Sequence, residues 1–351
     1  MAVLLIVSCL LTGCSVHPVR VVVGGKSVRD RADIPLIQPN RDGYEDIDNG
    51  NWNDGGQIAN NVKREVPYRG KYHPSYAMNH WMVVEGTLDN GRRYPVVLDT
   101  GASAGLFVSD IHIIENKLAI YPLAADGDSS TGRGVCHLPK LQIGEVTLVN
   151  WPCFYREQHA EVQLFGLPVA KDKAIIAGLP ALRRFKYIVF DSATEEVEFS
   201  LEKVFEPDRS DIWAQYPFKV EEDLGGNAFL FVKIPVAGEE TELQLDTGSG
   251  RGLAIAEELW ERISKKVPGA KLKQGEDLYP YIGWLACKHG VLANLEVGDR
   301  TVKNAMISVF PNDSPLLDRC PGLLGMQYFR DTAMVLDFER GLMWVKTPQN
   351  H

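Results

Sequence analysis

The sequence has little positive charge and no cluster of it. Its 351 residues include 37 Lys and Arg against 46 Asp and Glu, which gives a net charge of −9. No run of basic residues interrupts this balance. The electrostatic footprint of a nucleic-acid-binding protein is therefore missing, and charge alone would not hold the chain on an anionic lipid surface.

Common metal and redox motifs are missing as well. The chain has six Cys and eight His, but no Cys-x-x-Cys pair and no His-x-x-x-His spacing. Zinc sites and thioredoxin-like redox centres usually carry such spacings. We therefore expect neither a metal nor a cofactor.

A long hydrophobic run is also absent from the N-terminus. Residues 1–11 are apolar and uncharged, but a bilayer-spanning helix needs about 20 apolar residues. The run ends in Leu-Thr-Gly-Cys at Cys14, which resembles a bacterial lipoprotein signal, although no Lys or Arg precedes it. The resemblance implies a signal peptide over 1–13 and lipidation of Cys14. Because Ser15 follows, it also implies an outer-membrane anchor facing the periplasm.

Four cysteines remain in the body of the chain. An oxidising periplasm permits disulfides between them, and four cysteines allow three pairings. The pairing that keeps each bridge within one half is Cys136–Cys153 and Cys287–Cys320. Buried free thiols are the alternative.

The segment between the lipidation site and the body has a different composition. Residues 14–75 show little apolar periodicity, and 42–56 are rich in Asp, Asn and Gly, as turns and linkers are. We interpret 14–75 as a tether.

From about residue 76 the chain repeats one pattern. Each copy contains an apolar hairpin, an Asp-Thr-Gly at Asp99 or Asp246, and a closing apolar-apolar-Gly at Gly178 or Gly325. The two copies are offset by about 147 residues. Helical periodicity is confined to short pieces such as 256–265. The repeat predicts a duplicated β-rich unit, with one copy in 76–208 and the other in 209–351.

The repeated motif resembles the active-site loops of pepsin-like and retropepsin-like aspartic proteases. Its two copies are Val97–Ser103 and Gln244–Gly250, and the resemblance extends over about residues 76–347. It implies an all-β fold of two homologous six-stranded barrel lobes with the active-site cleft between them, in one monomeric chain.

The chemistry of the two aspartates can be argued from their positions. Asp99 and Asp246 each end an apolar strand, and a two-fold duplication brings equivalent strand ends together. Two adjacent carboxylates cannot both ionise, so they share one proton. The ionised member activates a water and the other protonates a substrate carbonyl oxygen. Two unrelated Asx turns are the alternative.

The neighbouring residues support the two loops. By resemblance, Thr100 and Thr247 hold the loops together through hydrogen bonds. Gly101 and Gly248 allow tight turns with amides near the carboxylates.

The residue after each glycine differs between the copies. Ser249 is expected to donate a hydrogen bond to its carboxylate, whereas Ala102 has no donor and Ser103 lies one position further along. Fewer donors mean a higher pKa. We therefore expect a pH optimum less acidic than that of a digestive pepsin.

Two other motifs overlap the same loops. Residues 101–105 fit the Gly-x-Ser-x-Gly nucleophile elbow of serine hydrolases, but no histidine has a supporting motif. Residues 248–252 resemble a phosphate loop but lack its lysine. We favour the aspartate pair over both.

Two candidate flaps lie between the Asp-Thr-Gly and the closing glycine of each copy. The first spans 126–138, with its tip at Thr131, Gly132, Arg133 and Gly134. The second spans 278–284, where Tyr281 and Trp284 either contact substrate or fill the lobe core.

The sequence therefore predicts a lipid-anchored aspartic endopeptidase that cleaves extended polypeptides. Its alternative is a non-catalytic envelope lipoprotein that binds a peptide or polymer in the same cleft.

Overall fold

The computed structural model describes residues 19–28, 31–37, 51–54, 68–71, 82–121, 133–165, 167–224, 227–267, 269–279 and 283–347. The signal peptide and Cys14 lie outside these ranges, as does most of the expected tether. The described part of that segment packs on the body of the chain, because residues 19–24 pair with residues 159–164 and both Val28 and Ile34 are buried in the main core. Within the described ranges, no helix is long and apolar enough to cross a membrane.

Strands dominate the described residues. In chain order they are β1 (Val19–Gly24), β2 (Asn51–Asp54), β3 (Tyr68–Lys71), β4 (Val83–Leu88), β5 (Arg93–Asp99), β6 (Leu106–Ser109), β7 (Arg133–Ile143), β8 (Val146–Arg156), β9 (His159–Leu164), β10 (Leu167–Lys171), β11 (Ile175–Gly178), β12 (Tyr187–Asp191), β13 (Glu196–Ser200), β14 (Trp213–Glu222), β15 (Ala228–Val236), β16 (Glu239–Asp246), β17 (Leu253–Ala256), β18 (Lys273–Tyr279), β19 (Gly283–Val297), β20 (Arg300–Phe310), β21 (Gly322–Gly325), β22 (Ala333–Asp337) and β23 (Leu342–Lys346). The helices are α1 (Asp110–Asn116), α2 (Leu179–Leu182) and α3 (Glu257–Ser264), and α3 lies within the predicted helical stretch 256–265.

The first lobe is a closed barrel. Its strands follow the order β8-β6-β11-β5-β4-β7, and β7 pairs back onto β8. The β5–β11 and β6–β8 pairs are parallel, and the other pairs are antiparallel. Closure leaves few unpaired strand edges in this lobe.

The second lobe repeats this arrangement. Its strands follow the order β19-β20-β17-β21-β16-β15, and β15 pairs back onto β19. The parallel pairs are again the equivalent ones, β16–β21 and β17–β20. The expected class, an all-β fold of two six-stranded barrel lobes, is confirmed.

The sheet of the second barrel continues through the β14–β15 pair into strands from both halves of the chain. Strands β14, β23, β22, β12, β13 and β3 pair in this order. The junction is the antiparallel β12–β22 pair, where Val189 lies opposite Val335. The expected lobe boundary, between residues 208 and 209, falls in the connection between β13 and β14, and this boundary remains a prediction.

Strand β5 is apolar on both of its faces. In β5, Tyr94, Val96 and Leu98 point into the main core, while Val97 between them joins a separate apolar cluster on the opposite face. A strand that is apolar on both faces is buried on both faces. This double burial holds the end of β5, where Asp99 lies, in a fixed position.

Candidate active site

The two aspartates end equivalent strands. Asp99 is the last residue of β5 and lies opposite Gly178 of the parallel strand β11. Asp246 is the last residue of β16 and lies opposite Gly325 of the parallel strand β21. The repeat seen in the sequence therefore corresponds to a repeat in space.

The backbone around each aspartate is also duplicated. The N–H of Leu179 donates to the Ala102 carbonyl at 2.9 Å, and 147 residues later Met326 donates to Ser249 at 2.8 Å. A Cβ on Gly325 would lie 2.2 Å from the Arg251 carbonyl oxygen. A Cβ on Gly178 would lie 1.9 Å from the Ala104 carbonyl oxygen. Only glycine fits at either position, because no Cβ tolerates such an approach.

Reciprocal hydrogen bonds join the two loops. The Thr100 N–H donates to Thr247 Oγ1 at 2.9 Å, and the Thr247 N–H donates to Thr100 Oγ1 at 3.1 Å. Each hydroxyl also donates across the interface, Thr100 to the Leu245 carbonyl at 2.7 Å and Thr247 to the Leu98 carbonyl at 2.6 Å. This is the arrangement that the resemblance implied for the two threonines.

The aspartate carboxyl groups adjoin each other at this junction, and each one contributes to the pKa shift of the other. Each one also packs against the glycine of the opposite loop. A Cβ on Gly248 would lie 2.3 Å from Asp99 Cγ, and one on Gly101 would lie 2.6 Å from Asp246 Cγ. These glycines are therefore required by the close approach of the carboxyl groups as well as by the turn.

The electrostatics of the pair are asymmetric. Burial and the neighbouring charge of Asp99 raise the pKa of Asp246 well above its usual range. Burial also raises the pKa of Asp99, but hydrogen bonds from Asp246 and from three backbone amides oppose the increase. The two carboxyl groups therefore titrate as a coupled pair, in which Asp246 is the harder of the two to ionise.

The donors to the carboxylates differ from those expected. The N–H groups of Gly101 and Ala102 donate to Asp99 Oδ1 at 2.8 and 3.1 Å. On the other side the Ser249 contribution comes from its backbone amide, while its hydroxyl accepts from the Arg251 N–H at 3.3 Å. The Ser249 hydroxyl therefore does not donate to the Asp246 carboxylate as predicted, because backbone amides in the turn supply the hydrogen bonds instead.

Ser103, the residue of the rival nucleophile-elbow motif, has a different environment. Its hydroxyl lies 3.4 Å from Asn227 Oδ1, and its carbonyl accepts from the Ala228 N–H at 2.8 Å. Both contacts reach the second lobe, so Ser103 links the lobes and is not paired with a histidine base.

The first candidate flap is described only in part. Thr131 and Gly132 lie outside the described residues. Arg133 and Gly134 belong to β7, opposite Arg156 and Tyr155, so these two are strand residues and not a hairpin tip. A Cβ on Gly134 would lie 2.6 Å from the Tyr155 hydroxyl, which explains the glycine by packing against a buried ring.

The second candidate flap corresponds to the β18–β19 hairpin. Tyr281 lies outside the described residues. Trp284 is 59% exposed on β19, whereas the Tyr279 ring packs on Phe310 with centroids 6.0 Å apart. The aromatic residues of this segment thus divide between the surface and the lobe core.

The body cysteines are all free thiols in this structure, so neither expected disulfide is present. Cys136 and Cys153 are nevertheless cross-strand partners, and burial beside Cys136 raises the pKa of Cys153 well above its usual range. Cys287 and Cys320 have separate partners. The Cys287 thiol lies 2.9 Å from His289 Nε2, and the Cys320 thiol donates to a backbone carbonyl at 3.0 Å.

One polar contact beside the aspartates was missed by sequence reasoning. Arg251, in the loop after Asp246, places Nη2 2.7 Å from Oδ1 of the buried Asp277. The only sequence signal was a charged residue in a glycine-rich loop, and its partner 26 positions away is set by strand register.

Comparison with known proteins finds no match by sequence and matches of low identity among solved structures. No protein-family model matches the chain, and no curated protein is significantly similar in sequence. An aspartic proteinase from Irpex lacteus is 10% identical, with a TM-score of 0.47, over 81% of this chain and 98% of that one. Basic 7S globulin from soybean is 13% identical, with a TM-score of 0.40, over 81% and 95%. A retropepsin-like aspartic protease from Rickettsia conorii is 16% identical, with a TM-score of 0.26, over 38% and 95%.

Proposed function

We propose that the protein is an aspartic endopeptidase in which Asp99 and Asp246 activate a water molecule. The observation that carries this proposal is that the two carboxyl groups adjoin at the junction of the lobes, each against the glycine of the opposite loop. Structural aspartates rarely face each other, because an unshared pair of charges is costly. Equivalent positions in two duplicated loops are what a shared-proton mechanism needs.

We assign the roles of the two aspartates from the asymmetry of the pair, with the proton on Asp246 and the charge on Asp99. Asp99, as the ionised member, takes a proton from the water, and the water oxygen attacks the carbonyl carbon of the peptide bond. Asp246 gives its proton to the carbonyl oxygen, which forms a tetrahedral diol. The proton on Asp99 then passes to the amide nitrogen, Asp246 takes a proton back from the diol, and the C–N bond breaks. The pair returns to its starting state with one proton.

Extended polypeptides are the proposed substrates. The β18–β19 hairpin carries the exposed ring of Trp284, and a peptide in a cleft between two barrels can add main-chain hydrogen bonds to such a hairpin. The activity resides in a single chain, because both loops of the pair belong to it.

The test is hydrolysis of an unfolded protein by the full chain purified in detergent. We expect cleavage by the wild type, and a loss of at least about 100-fold in kcat/KM for Asp99→Asn and for Asp246→Asn. Asp313→Asn, at an exposed position, is the matched control and should retain wild-type activity.

The outcomes separate the proposal from its alternative. Equal cleavage by wild type and Asp99→Asn would assign the activity to a contaminant. Absence of cleavage between about pH 3 and 8, together with saturable binding of the same polypeptide, would favour a non-catalytic peptide-binding lipoprotein.

We also propose that Cys14 anchors the protein by lipid to the outer membrane, facing the periplasm. The described chain begins at Val19, five residues after Cys14, in strand β1. Val19 lies opposite Leu164, at the end of β9 next to the β9–β10 turn. Phe165 and Leu167 at this turn are 60% and 69% exposed, so an apolar hairpin lies beside the point where the lipid would attach.

A further inference from the structure

A compact group of side chains in the second lobe has the composition of a metal site. Asp277 lies on β18, and Cys287 and His289 lie two residues apart on β19, so they share one face. One donor atom from each residue lies within 4.8 Å of the other two. Cys287 Sγ is 2.9 Å from His289 Nε2, which is 3.1 Å from Asp277 Oδ1.

The surroundings support this grouping. Gly275 leaves room for the His289 ring, because a Cβ there would lie 2.8 Å from the ring. Asp277 is 1% exposed. Its Oδ2 accepts a hydrogen bond from Ser308 at 2.5 Å, whereas its Oδ1 has no aligned hydrogen-bond donor. Arg251 Nη2 lies 2.7 Å from Oδ1, close in distance but not in hydrogen-bonding geometry.

The donor set favours zinc among the common divalent ions. Sulfur, imidazole nitrogen and one carboxylate oxygen are typical zinc ligands, and three protein ligands leave a fourth position for water. Calcium and magnesium prefer oxygen ligands. Burial and Asp277 raise the pKa of Cys287 to about 12, so the free thiol keeps its proton and zinc must displace one proton as it binds.

The group adjoins the proposed active site through Arg251. This residue follows Asp246 in the same loop, and its carbonyl accepts from the Gln327 N–H at 3.2 Å. The charges of Asp277 and Asp246 both contribute to the raised pKa of Tyr279. A dication on Asp277 would repel the Arg251 guanidinium, because the two positive charges would share one carboxylate.

We propose that Asp277, Cys287 and His289 bind Zn²⁺, and that the bound ion displaces Arg251 from Asp277 and inhibits the enzyme. The binding half of this proposal stands alone. The inhibitory half rests on the proposed peptidase function. Arg251 and zinc compete for the same carboxylate oxygen, so occupancy of the site changes the contacts of the loop that carries Asp246.

Cobalt is the probe for binding, because Co²⁺ replaces Zn²⁺ and its thiolate complexes absorb in the near ultraviolet. Full chain in detergent, reduced and freed of metal by chelation, is titrated with Co²⁺ and then with Zn²⁺. We expect one thiolate-to-cobalt charge-transfer band, bleached by one equivalent of zinc. Cys287→Ser should lose the band, and Cys320→Ser is the matched thiol control that keeps it.

Two further variants test the geometry. His289→Gln should weaken zinc binding by at least about tenfold, and Arg251→Met should strengthen it, because the competing cation is gone. Absence of the band from the wild type, or its persistence in Cys287→Ser, would overturn the zinc site. The cobalt band and the zinc affinity can both be measured without peptidase activity, so this test remains valid even if the proposed function is wrong.

Inhibition is measured as the ratio of kcat/KM with and without zinc in each variant. We expect zinc to lower this ratio in the wild type and to leave it near one in Cys287→Ser. Zinc binding without loss of activity would overturn the coupling through Arg251.

Discussion

Thr100 and Thr247 exchange hydrogen bonds across the two lobes, backbone N–H to side-chain oxygen in each direction, at 2.9 and 3.1 Å. Both residues are fully buried. Each hydroxyl also donates to a carbonyl at the end of the opposite strand. The two strand ends that carry the aspartates are therefore fixed relative to each other by four hydrogen bonds that involve only two side chains.

Replacement of Thr247 by valine should loosen this junction. Valine keeps the shape but leaves the Thr100 N–H and the Leu98 carbonyl unpaired, at a cost of about 1–3 kcal/mol each. We expect a free energy of unfolding lower by roughly 2–6 kcal/mol, measured in urea, with a parallel loss of activity. Thr247→Ser keeps the hydroxyl and is the control. A valine variant as stable as the serine variant would contradict the proposed importance of these bonds.

Replacement of Gly248 by alanine should displace the catalytic carboxyl group. The new methyl would lie 2.3 Å from Asp99 Cγ, and a misplacement of about 1 Å costs on the order of 100-fold in rate. We expect that loss in kcat at temperatures where unfolding, measured on the same preparation, shows that the variant is folded. Ser249→Ala, next in the chain, should stay near wild type, because its hydroxyl contacts the Arg251 N–H. A large loss in Ser249→Ala would restore the role that the sequence predicted for this hydroxyl.

The sequence predicted these loops well because their information is local and occurs twice. The Asp-Thr-Gly motif sets the turn, and its second copy 147 residues later places the partner loop. From this duplication follow the two barrels, the meeting of Asp99 with Asp246 and the pairing of the threonines.

Contacts that depend on strand register were not predicted. Asp277, Cys287 and His289 carry no recognisable spacing, because ligands on paired strands are brought together by cross-strand register and not by helical periodicity. The absence of a helical His-x-x-x-His motif therefore said nothing about this group. The role assigned to Ser249 failed for a related reason, since backbone amides compete with a hydroxyl in a tight turn.

The raised pKa of Asp246 should make the stability of the protein depend on pH. The folded state holds a proton that the unfolded chain releases above about pH 3.9. Between that value and the raised folded pKa, the folded state binds more protons, so stability falls as pH rises. The favourable contribution is complete below the unfolded pKa and is lost as pH rises through the folded pKa.

Asp246→Asn removes this titration, because the amide stays neutral at every pH. We expect the melting temperature of the variant, relative to that of the wild type, to increase from pH 4 to pH 7. The increase should be about 2–4 °C for each kcal/mol of stability that the wild type loses over this range. Asp313→Asn should give a difference that is flat with pH. If the melting-temperature difference for Asp246→Asn is also independent of pH, Asp246 does not have a raised pKa in the folded protein.

The apolar β9–β10 turn should touch the membrane if Cys14 carries the lipid. Because Val19 lies opposite Leu164, the lipid would hold this turn at the bilayer surface, where burial of a side chain such as Phe165 gains about 1.5–3 kcal/mol. In acylated full chain on vesicles, the fluorescence of the Phe165→Trp variant should be quenched by brominated acyl chains. Leu224→Trp, at an exposed position, is the control, and its added indole should remain unquenched. Mass spectrometry of the Cys14 peptide establishes acylation separately, so an acylated Phe165→Trp variant without quenching would refute the contact while leaving the anchor in place.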